Sequence, residues 1–572
     1  MTEQHFNLAT DPWIKVIRRD TSQETKVSLI ELFAHAQDYR QLAGEMKSQD
    51  LAILRLLLAI LTTVYSRFDA KGETYSWLQV DDDTFQAIDV NPDDDTEESE
   101  MEGDLLATWT QVYQTGHFSD IVTRYLQRYA DRFDFFGDHP FYQVTTQDYD
   151  ALVPANKQVA KGKGRVAVKQ LNRRISESAN TPAVFAPKTG ELKNQLPLDE
   201  LVRWLITYQN FTGVTDKTKI VTPEKFSNPA GWLYRLGPVY AQGQTVFETL
   251  MLNLVLVGDK LDVTAVQRPV WEFATVQDYV DERKKQAKPT NLAELYTAWS
   301  RILHIEWVDQ QPNIFSAGIP MFAPEDTLIE PMTTWRWDKK EKQFRPAVKG
   351  LRSLGISMWR NFGQYVKVND EKTERQPGVV DWLQKLKHQE ETVIPDEQPL
   401  TLASVALISD GNATSQSPAA EVADDLQMQA DVLFDPEIED HWPVRIEDAV
   451  EVTQNVGTDF YHFAADIAQI RDIDSRDFAS KWSAQFYASL DAPFKDWLAQ
   501  LTGHDNREVK INEWKLQLQG LLRQSVQAVM RTSSPRDITG IKDSKDRPFN
   551  IFTAQSRLNY NLHIHLNPTK KA

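Results

Sequence analysis

The sequence contains no cysteine. This absence excludes disulfide bonds, thiolate zinc sites and cysteine nucleophiles, and it fits a reducing, cytoplasmic location. A P-loop, a dinucleotide glycine fingerprint and a GxSxG nucleophile elbow are also missing. The 11 histidines are scattered, and His563 and His565 would point to opposite sides of a helix. We therefore predict no metal, no cofactor and no catalytic residues.

Long hydrophobic runs are scarce as well. The most apolar run, residues 51–64, contains Arg55 and is shorter than the roughly 20 residues that a bilayer requires. We interpret it as a buried core helix. The first residues, Thr2 to His5, are polar and lack the basic and apolar regions of a signal peptide. These observations predict a cytoplasmic protein without membrane contact.

Basic residues are fewer than acidic ones, 63 against 82, and the formal net charge is −19. A protein with this net negative charge repels polyanions on average, which argues against a free-standing nucleic-acid binder. Much of the negative charge lies in residues 81–104, which we interpret as a solvated or disordered surface insertion.

One stretch, residues 157–174, has the opposite character because it contains no acidic residue. We expect Gly162 and Gly164 to keep its first half flexible, as in a basic loop that orders on a nucleic-acid backbone. A solvated run of charge is the alternative interpretation. The candidate phosphate-binding residues of this basic tract are Lys161, Lys163, Arg165, Lys169, Arg173 and Arg174.

Length and periodicity predict more than one domain. At 572 residues, 41% of them hydrophobic, the chain exceeds what a single core usually serves. Residues 1–424 mix helical patterns with short β-prone runs, such as Thr245 to Val257, and include a polar linker from Asn369 to Leu400. We predict a large, irregular α+β domain there. Residues 425–572 contain four amphipathic segments and predict a C-terminal four-helix bundle.

Two motifs carry a resemblance to a known family. Phe6-Asn7-Leu8 leads into Asp11-Pro12-Trp13, and residues 133–143 read Phe-Asp-Phe-Phe-Gly-Asp-His-Pro-Phe-Tyr-Gln. In this order the motifs resemble CasA, the large subunit of the type I-E CRISPR surveillance complex Cascade. The resemblance implies a non-catalytic subunit that recognises the protospacer-adjacent motif (PAM) in double-stranded DNA. It also implies that the subunit wedges the duplex open to start crRNA-guided R-loop formation.

The resemblance implies four groups of site residues. A loop that touches the crRNA and the backbone subunit corresponds to Val184, Phe185 and Lys188. A loop against the PAM minor groove corresponds to Thr212, Gly213, Lys217 and Lys219, with one glycine where the family often has several. A PAM-reading basic hairpin corresponds to Arg336, Lys339 and Lys340. The DNA wedge corresponds to Asn412, Thr414, Ser415 and Gln416.

The implied partners are the other Cascade subunits, crRNA, PAM-bearing duplex DNA, the displaced strand and the helicase-nuclease effector. The family assigns binding of the displaced strand, and recruitment of that effector, to the C-terminal bundle. Two alternatives stay open at this point. One is a metal-dependent nuclease or other hydrolase built on the α+β domain, and the other is a scaffold subunit without DNA contact.

Overall fold

The structure is a computed structural model, and it describes residues 5–91, 96–172, 190–213, 216–309, 311–366, 373–389, 393–409, 418–436, 440–542 and 545–566. The chain divides into two compact units. The first comprises Met1–Arg352, Thr373–Val393 and Ala403–Ala423. The second comprises Ser353–Lys372, Ile394–Leu402 and Asp424–Ala572.

The first unit mixes helices with small sheets. Its helices are α1 (Leu29–Ala34), α2 (Lys47–Tyr65), α3 (Glu98–Thr115), α4 (Asp120–Arg128), α5 (Thr146–Leu152), α6 (Val168–Leu171), α7 (Leu198–Phe211), α8 (Val246–Asn253), α9 (Val276–Lys285), α10 (Leu292–Thr297) and α12 (Gly378–Lys387). Its strands are β1 (Ile14–Arg18), β2 (Glu24–Val27), β3 (Tyr39–Leu42), β4 (Leu78–Val80), β5 (Ala87–Val90), β6 (Arg165–Val166), β7 (Val239–Gln242), β8 (Arg301–Val308), β9 (Gln311–Gly318), β10 (Trp335–Asp338), β11 (Gln343–Pro346) and β12 (Glu374–Arg375).

Two longer strands, β13 (Pro399–Ser409) and β14 (Pro418–Gln429), run through segments of both units. The three-stranded sheets have the orders β2-β1-β3, β6-β9-β8, β11-β10-β12 and β14-β13-β7, and β4 pairs with β5. None of these sheets is large, so the predicted irregular α+β class is confirmed.

Helix α2 forms the centre of the first unit. Nearly every residue of the helix is buried, and Arg55 is neutralised inside the core by Glu330, with Nη1–Oε1 and Nη2–Oε2 distances of 3.0 and 2.9 Å. Both side chains are fully buried. Within the described residues α2 is the one helix long and apolar enough to cross a membrane, but its apolar window is entirely buried inside the protein. The prediction of a core helix is therefore confirmed.

Two local predictions are wrong. The β-prone run at 245–257 contains helix α8, because the Thr245 side chain caps it by accepting a hydrogen bond from the Glu248 backbone N–H at 3.0 Å. The expected linker contains α12, whose Trp382 is buried with its ring 5.8 Å from that of Trp109. Of the two interpretations given for the acidic stretch 81–104, the solvated surface segment is the one confirmed over the described residues, because nearly all of them are at least partly exposed while the stretch contains β5 and the first turns of α3.

The second unit is mainly helical. Its helices are α11 (Phe362–Tyr365), α13 (Ala430–Leu433), α14 (Trp442–Arg471), α15 (Ser475–Ala499), α16 (Arg507–Met530), α17 (Pro535–Thr539) and α18 (Ile551–Leu566), and β15 (Ile541–Lys542) pairs with β16 (Pro548–Phe549). Helix α14 contacts α15, α16 and α18. Trp514 on α16 donates from Nε1 to Thr453 Oγ1 on α14 at 2.9 Å. The C-terminal helical region is thus confirmed.

Segment 353–366 also belongs to the second unit. Trp359 stacks on Phe494 of α15 at 4.4 Å between ring centroids and donates from Nε1 to Asp491 at 3.0 Å. Gln454 on α14 donates to the Arg360 carbonyl oxygen at 2.7 Å. Only the tertiary structure shows that this earlier part of the chain packs on the C-terminal helices.

Candidate nucleic-acid interface

The basic tract contains short regular elements between residues 155 and 172. It consists of two short 3₁₀ turns, strand β6 and helix α6. Gly162 and Gly164 have φ angles of +62° and +84°, a left-handed region that glycine enters without strain. The two glycines therefore form the turns of the tract, and the expectation that they keep it flexible stays a prediction.

The cations of the tract differ in exposure. Lys161, Lys163 and Arg165 are exposed, and Lys169 is half-buried. The Arg165 guanidinium lies 5.4 Å from the centroid of the Phe315 ring on the neighbouring strand. Arg173 and Arg174 lie outside the described residues.

Strand β9 holds the tract in place. Arg165 and Val166 of β6 pair with Phe315 and Ile314 of β9. The Ser316 backbone N–H donates to the Gly164 carbonyl oxygen at 3.0 Å. The exposed cations therefore project from a hydrogen-bonded sheet edge.

The predicted minor-groove loop begins where α7 ends. Thr212 is fully buried and Gly213 is buried beside it, whereas Lys217 is exposed. The loop is closed at its base, because the Gly231 backbone N–H donates to the Thr212 carbonyl oxygen at 2.9 Å. Lys219 donates from Nζ to the Phe226 carbonyl oxygen, and its Nζ lies 4.9 Å from the Phe226 ring centroid. Lys217 is thus the cation of this loop that faces solvent most openly.

The same strand, β9, also holds this loop. The Gly318 backbone N–H donates to the Thr218 carbonyl oxygen at 2.9 Å, and the Ile220 N–H donates back to Gly318 at 3.0 Å. Two segments predicted separately, the basic tract and the minor-groove loop, therefore lie on one strand. Their exposed cations are Lys161, Lys163, Arg165 and Lys217.

Beneath them lies Arg301 of β8, a residue that sequence reasoning missed. It is fully buried, donates from Nη2 to the carbonyl oxygens of Thr218 and Ser316 at 3.1 and 3.2 Å, and donates from Nε to Ser316 Oγ. No carboxylate pairs with it among the described residues. Arg301 therefore connects the minor-groove loop to β9, and nothing in the local sequence signals this role.

The basic hairpin is formed by β10 and β11. Arg336 lies opposite Arg345 in the register, and its Nε lies 3.2 Å from Glu374 Oε1 on β12. The turn is closed by Asp338, whose pKa is held below its ordinary value by hydrogen bonds from the backbone N–H groups of Glu341 and Lys340. Lys339 and Lys340 are exposed at the turn.

The predicted wedge residues Asn412, Thr414, Ser415 and Gln416 lie outside the described residues, in the segment that joins β13 to β14. Both flanks are anchored in the first unit. Tyr234 donates from its hydroxyl to Ser409 Oγ at 3.1 Å. Glu421 accepts hydrogen bonds from the backbone N–H groups of Lys47 and Ser48, at 3.1 and 2.8 Å.

Glu421 was also missed from the sequence. Its carboxylate lies at the N-terminus of α2, where it accepts hydrogen bonds from backbone N–H groups that have no partner within the helix. The negative charge there also interacts favourably with the helix dipole. Burial raises the pKa of Asp50, one turn further along α2, to about 6, and the negative charge of Glu421 adds to this shift.

The loop residues Val184, Phe185 and Lys188 likewise lie outside the described residues. Within the described part of the chain, no group of three or more His, Asp or Glu side chains is arranged to hold a metal ion. His563 and His565 both lie on α18, and His565 Nδ1 contacts Asp459 Oδ2 at 2.7 Å.

Comparison with known proteins identifies the family of this chain. The sequence model described as CRISPR-associated protein Cse1 matches residues 7–525, whereas no curated protein matches the chain. Cse1 from Thermobifida fusca is similar in structure, with 22% sequence identity, a TM-score of 0.75 and 98% of each chain covered.

Two further structures are similar. CasA (Cse1) from Thermus thermophilus has 17% identity and a TM-score of 0.65, covering 98% of this chain and 100% of that chain. A chain of a CRISPR RNA-guided surveillance complex has 13% identity and a TM-score of 0.64, covering 98% and 100% respectively. At these identities the matches establish the fold. Because the family match spans most of the sequence, the resemblance to CasA is confirmed, and the chain belongs to the CRISPR-associated Cse1 family.

Proposed function

We propose that this chain is the large subunit of a type I-E Cascade surveillance complex, bound to the other subunits and to crRNA. Its family and the match of its whole fold to a chain of a CRISPR RNA-guided surveillance complex support this role. Within such a complex the guide RNA reads the target by base pairing, while a protein subunit reads only the short PAM. The subunit then has no covalent chemistry to perform.

The observation that carries the DNA-binding part of the proposal is the convergence on β9. Lys161, Lys163, Arg165 and Lys217 are exposed on two segments that share this strand. The net charge of −19 repels DNA on average, so a duplex must be held by a local cluster of cations. This basic cluster supplies phosphate contacts that position the duplex, and such contacts carry no sequence information themselves.

PAM reading is assigned to the loop from Thr212 to Lys219 and to the hairpin bearing Arg336, Lys339 and Lys340. Lys339 and Lys340 are exposed at the tip of a turn whose backbone N–H groups donate to Asp338. Arg336 would exchange its partner Glu374 for DNA, and because this ion pair is about half exposed, it costs little to break.

Duplex opening is assigned to the segment with Asn412, Thr414, Ser415 and Gln416. Inserting a side chain beside the PAM unstacks a base step, which costs a few kcal/mol that protein contacts must offset. Ser409 and Glu421 are each hydrogen-bonded to other residues of the first unit, so both flanks of this segment are anchored. The loop with Val184, Phe185 and Lys188 is assigned to the crRNA and the backbone subunit. The C-terminal helices are assigned to the displaced strand and the helicase-nuclease.

The test is unwinding of a supercoiled, PAM-bearing target by the guide-loaded complex, followed with a base-unpairing probe. Four samples are compared: no large subunit, the wild-type chain, Gln416→Ala, and Gln127→Ala as a matched change at an exposed glutamine of α4. We expect opening to require the chain and to fall with Gln416→Ala alone. Equal opening without the chain would overturn the whole proposal.

The two alternative functions give different results in the same assay. A scaffold subunit would restore opening equally with the wild-type chain and Gln416→Ala. A metal-dependent nuclease would cut the target when Mg²⁺ is added in the absence of the helicase-nuclease. We expect the DNA strands to stay intact.

A further inference from the structure

The Phe-Asp-Phe-Phe-Gly-Asp-His-Pro-Phe-Tyr-Gln motif has no part in the proposed DNA contacts, yet it lines a cavity in the first unit. The cavity measures about 60 Å³ and is bounded on one side by residues 138–144. The opposite wall comes from Val270, Trp271 and Phe273, from Tyr279 on α9, and from Trp299. Asp138 and His139 are exposed, so the motif also forms part of the rim.

The walls are aromatic and held in place. Tyr142 stacks on Phe141 at 4.5 Å and lies 6.0 Å from Trp299 between ring centroids. The Trp271 Nε1 donates to the Tyr125 hydroxyl at 2.8 Å. The Tyr279 hydroxyl accepts from the Trp299 backbone N–H at 2.9 Å. The rings are therefore fixed before any ligand arrives.

The backbone of Tyr142 has a φ of +56°, a conformation that costs a bulky residue free energy. With this backbone conformation, the Tyr142 ring lies in the wall of the cavity, next to the ring of Phe141. Strained residues of this kind concentrate at ligand sites. Phe141 and Tyr142 are also buried, so they belong to the core and line the cavity at the same time.

The rim carries uncompensated negative charge. The one cation in the lining, Arg132, is already engaged, with Asp131 at 3.4 Å and the Phe273 carbonyl oxygen at 3.4 Å. Asp138 and Asp148 also line the cavity, and neither has a cationic partner in the part of the chain that the structure describes. The N-terminus of α9 adds no free positive end, because Asp278 closes its capping box with Thr275.

Aromatic walls and carboxylates without a cationic partner together favour a cation, because a ring face attracts positive charge and a carboxylate pairs with it. A cavity needs about 10–15 Å³ of free space for each water molecule that it holds. This cavity of about 60 Å³ therefore has room for about four to six water-sized groups. A guanidinium group, one carbon and three nitrogens, fits this space. A nucleotide does not, because its base is larger and its phosphate would be repelled by Asp138 and Asp148.

We propose that this cavity binds the guanidinium group of an exposed arginine on a partner protein. The planar group stacks between the rings, and its N–H donors reach the carboxylates at the rim. This site is separate from the proposed DNA contacts, so its test does not depend on them.

The probe is the peptide acetyl-Gly-Arg-Gly-amide, and the matched control is the same peptide with citrulline, the neutral isostere of arginine. Saturation-transfer NMR on the full chain detects binding of each peptide even when the dissociation constant is in the millimolar range. We expect saturation of the arginine side-chain protons, and an affinity for the citrulline peptide that is about tenfold weaker. Equal binding of the two peptides, or no binding of either, would overturn the proposal.

Variants of the chain locate the site. Asp138→Asn with Asp148→Asn should abolish arginine binding, whereas Asp82→Asn, which removes an exposed carboxylate elsewhere, should leave it unchanged. Because Asp148 also accepts a hydrogen bond from Thr145, Asp138→Asn alone is the second variant, with an expected loss of about threefold. Undiminished binding of the arginine peptide by a folded double variant would contradict an arginine site. Saturation transfer to uridine monophosphate, together with displacement of the arginine peptide by it, would also contradict an arginine site.

Discussion

Arg301 and Thr218 are joined by a hydrogen bond of 3.1 Å between Arg301 Nη2 and the Thr218 carbonyl oxygen, although 83 positions separate them in the sequence. The same guanidinium binds Ser316 of β9. Ser316 in turn donates its backbone N–H to Gly164 of the basic tract. One buried cation therefore supports both segments of the proposed interface.

We expect Arg301→Lys to loosen the minor-groove loop without unfolding the protein. Lysine keeps the charge but cannot reach Thr218 and Ser316 together, which removes about two hydrogen bonds of roughly 1–2 kcal/mol each. Hydrogen exchange at the Ile220 and Gly318 amides should become faster by at least about tenfold. Arg523→Lys, at an exposed position of α16, is the control. Unchanged exchange at Ile220 would show that β9 alone holds the loop.

The basic cluster should set the salt dependence of DNA binding. Replacing Lys161, Lys163 and Arg165 by glutamine removes three exposed cations. Each phosphate contact contributes about 0.9 to the slope of log K against log salt concentration. We expect the slope of the assembled complex to fall by about 2–3, measured by titration of a PAM-bearing duplex at several salt concentrations.

The control for this experiment is replacement of Lys71, Lys260 and Lys288 by glutamine. These three cations are also exposed in the first unit but lie outside the basic tract. An equal decrease in slope for both triple variants would mean that mean charge, not the basic cluster, governs binding.

Gly231 should tolerate no side chain. A Cβ atom there would lie 2.3 Å from the Asn210 carbonyl oxygen, and backbone cannot move away cheaply at the C-terminus of a buried helix. We expect Gly231→Ala to lower the thermal unfolding midpoint by several degrees and to open the loop that begins at Thr212. Gly103, inside α3, has open space around it, so Gly103→Ala should raise stability by about 0.5–1 kcal/mol. Equal effects of the two changes would contradict the close approach.

Asp50 should contribute to the way in which the stability of the folded protein changes with pH. Burial raises the pKa of Asp50 to about 6 from the ordinary 3.8, so the folded protein binds this proton more tightly than the unfolded chain. The contribution of Asp50 to stability is therefore full below about pH 4 and is lost as the pH rises through about 6, by about 3 kcal/mol in all.

Asp50→Asn removes this titration while keeping an acceptor for the Gly44 backbone N–H, which binds Asp50 Oδ1 at 2.7 Å. Thermal unfolding midpoints of both proteins between pH 4 and 7 make the comparison. We expect the wild type to lose stability relative to the variant as the pH rises. A relative gain would mean that Lys47, whose Nζ lies 3.5 Å from Asp50 Oδ2, stabilises the ionised carboxylate after all.

Local sequence accounts for much of the fold. The apolar run at 51–64 predicted α2, and amphipathic periodicity predicted the long C-terminal helices, because burial of one helix face repeats in the sequence with the period of the helix. The basic hairpin at Arg336, Lys339 and Lys340 was implied by the family resemblance, and β10 and β11 form a hairpin there. At Thr245 the sequence prediction was wrong, because the Thr245 side chain caps α8, the helix buries Phe247 and Leu250, and β propensity is weak beside such tertiary contacts.

The sequence by itself determined the family, the absence of thiol chemistry and the local concentration of cations within an acidic chain. Only the tertiary structure decided that the basic tract and the minor-groove loop share β9, that Arg301 lies beneath them and that Glu421 caps α2. The physical reason is that hydrogen bonds between residues far apart in the chain depend on how the elements pack, and composition and periodicity report only on neighbours along the chain.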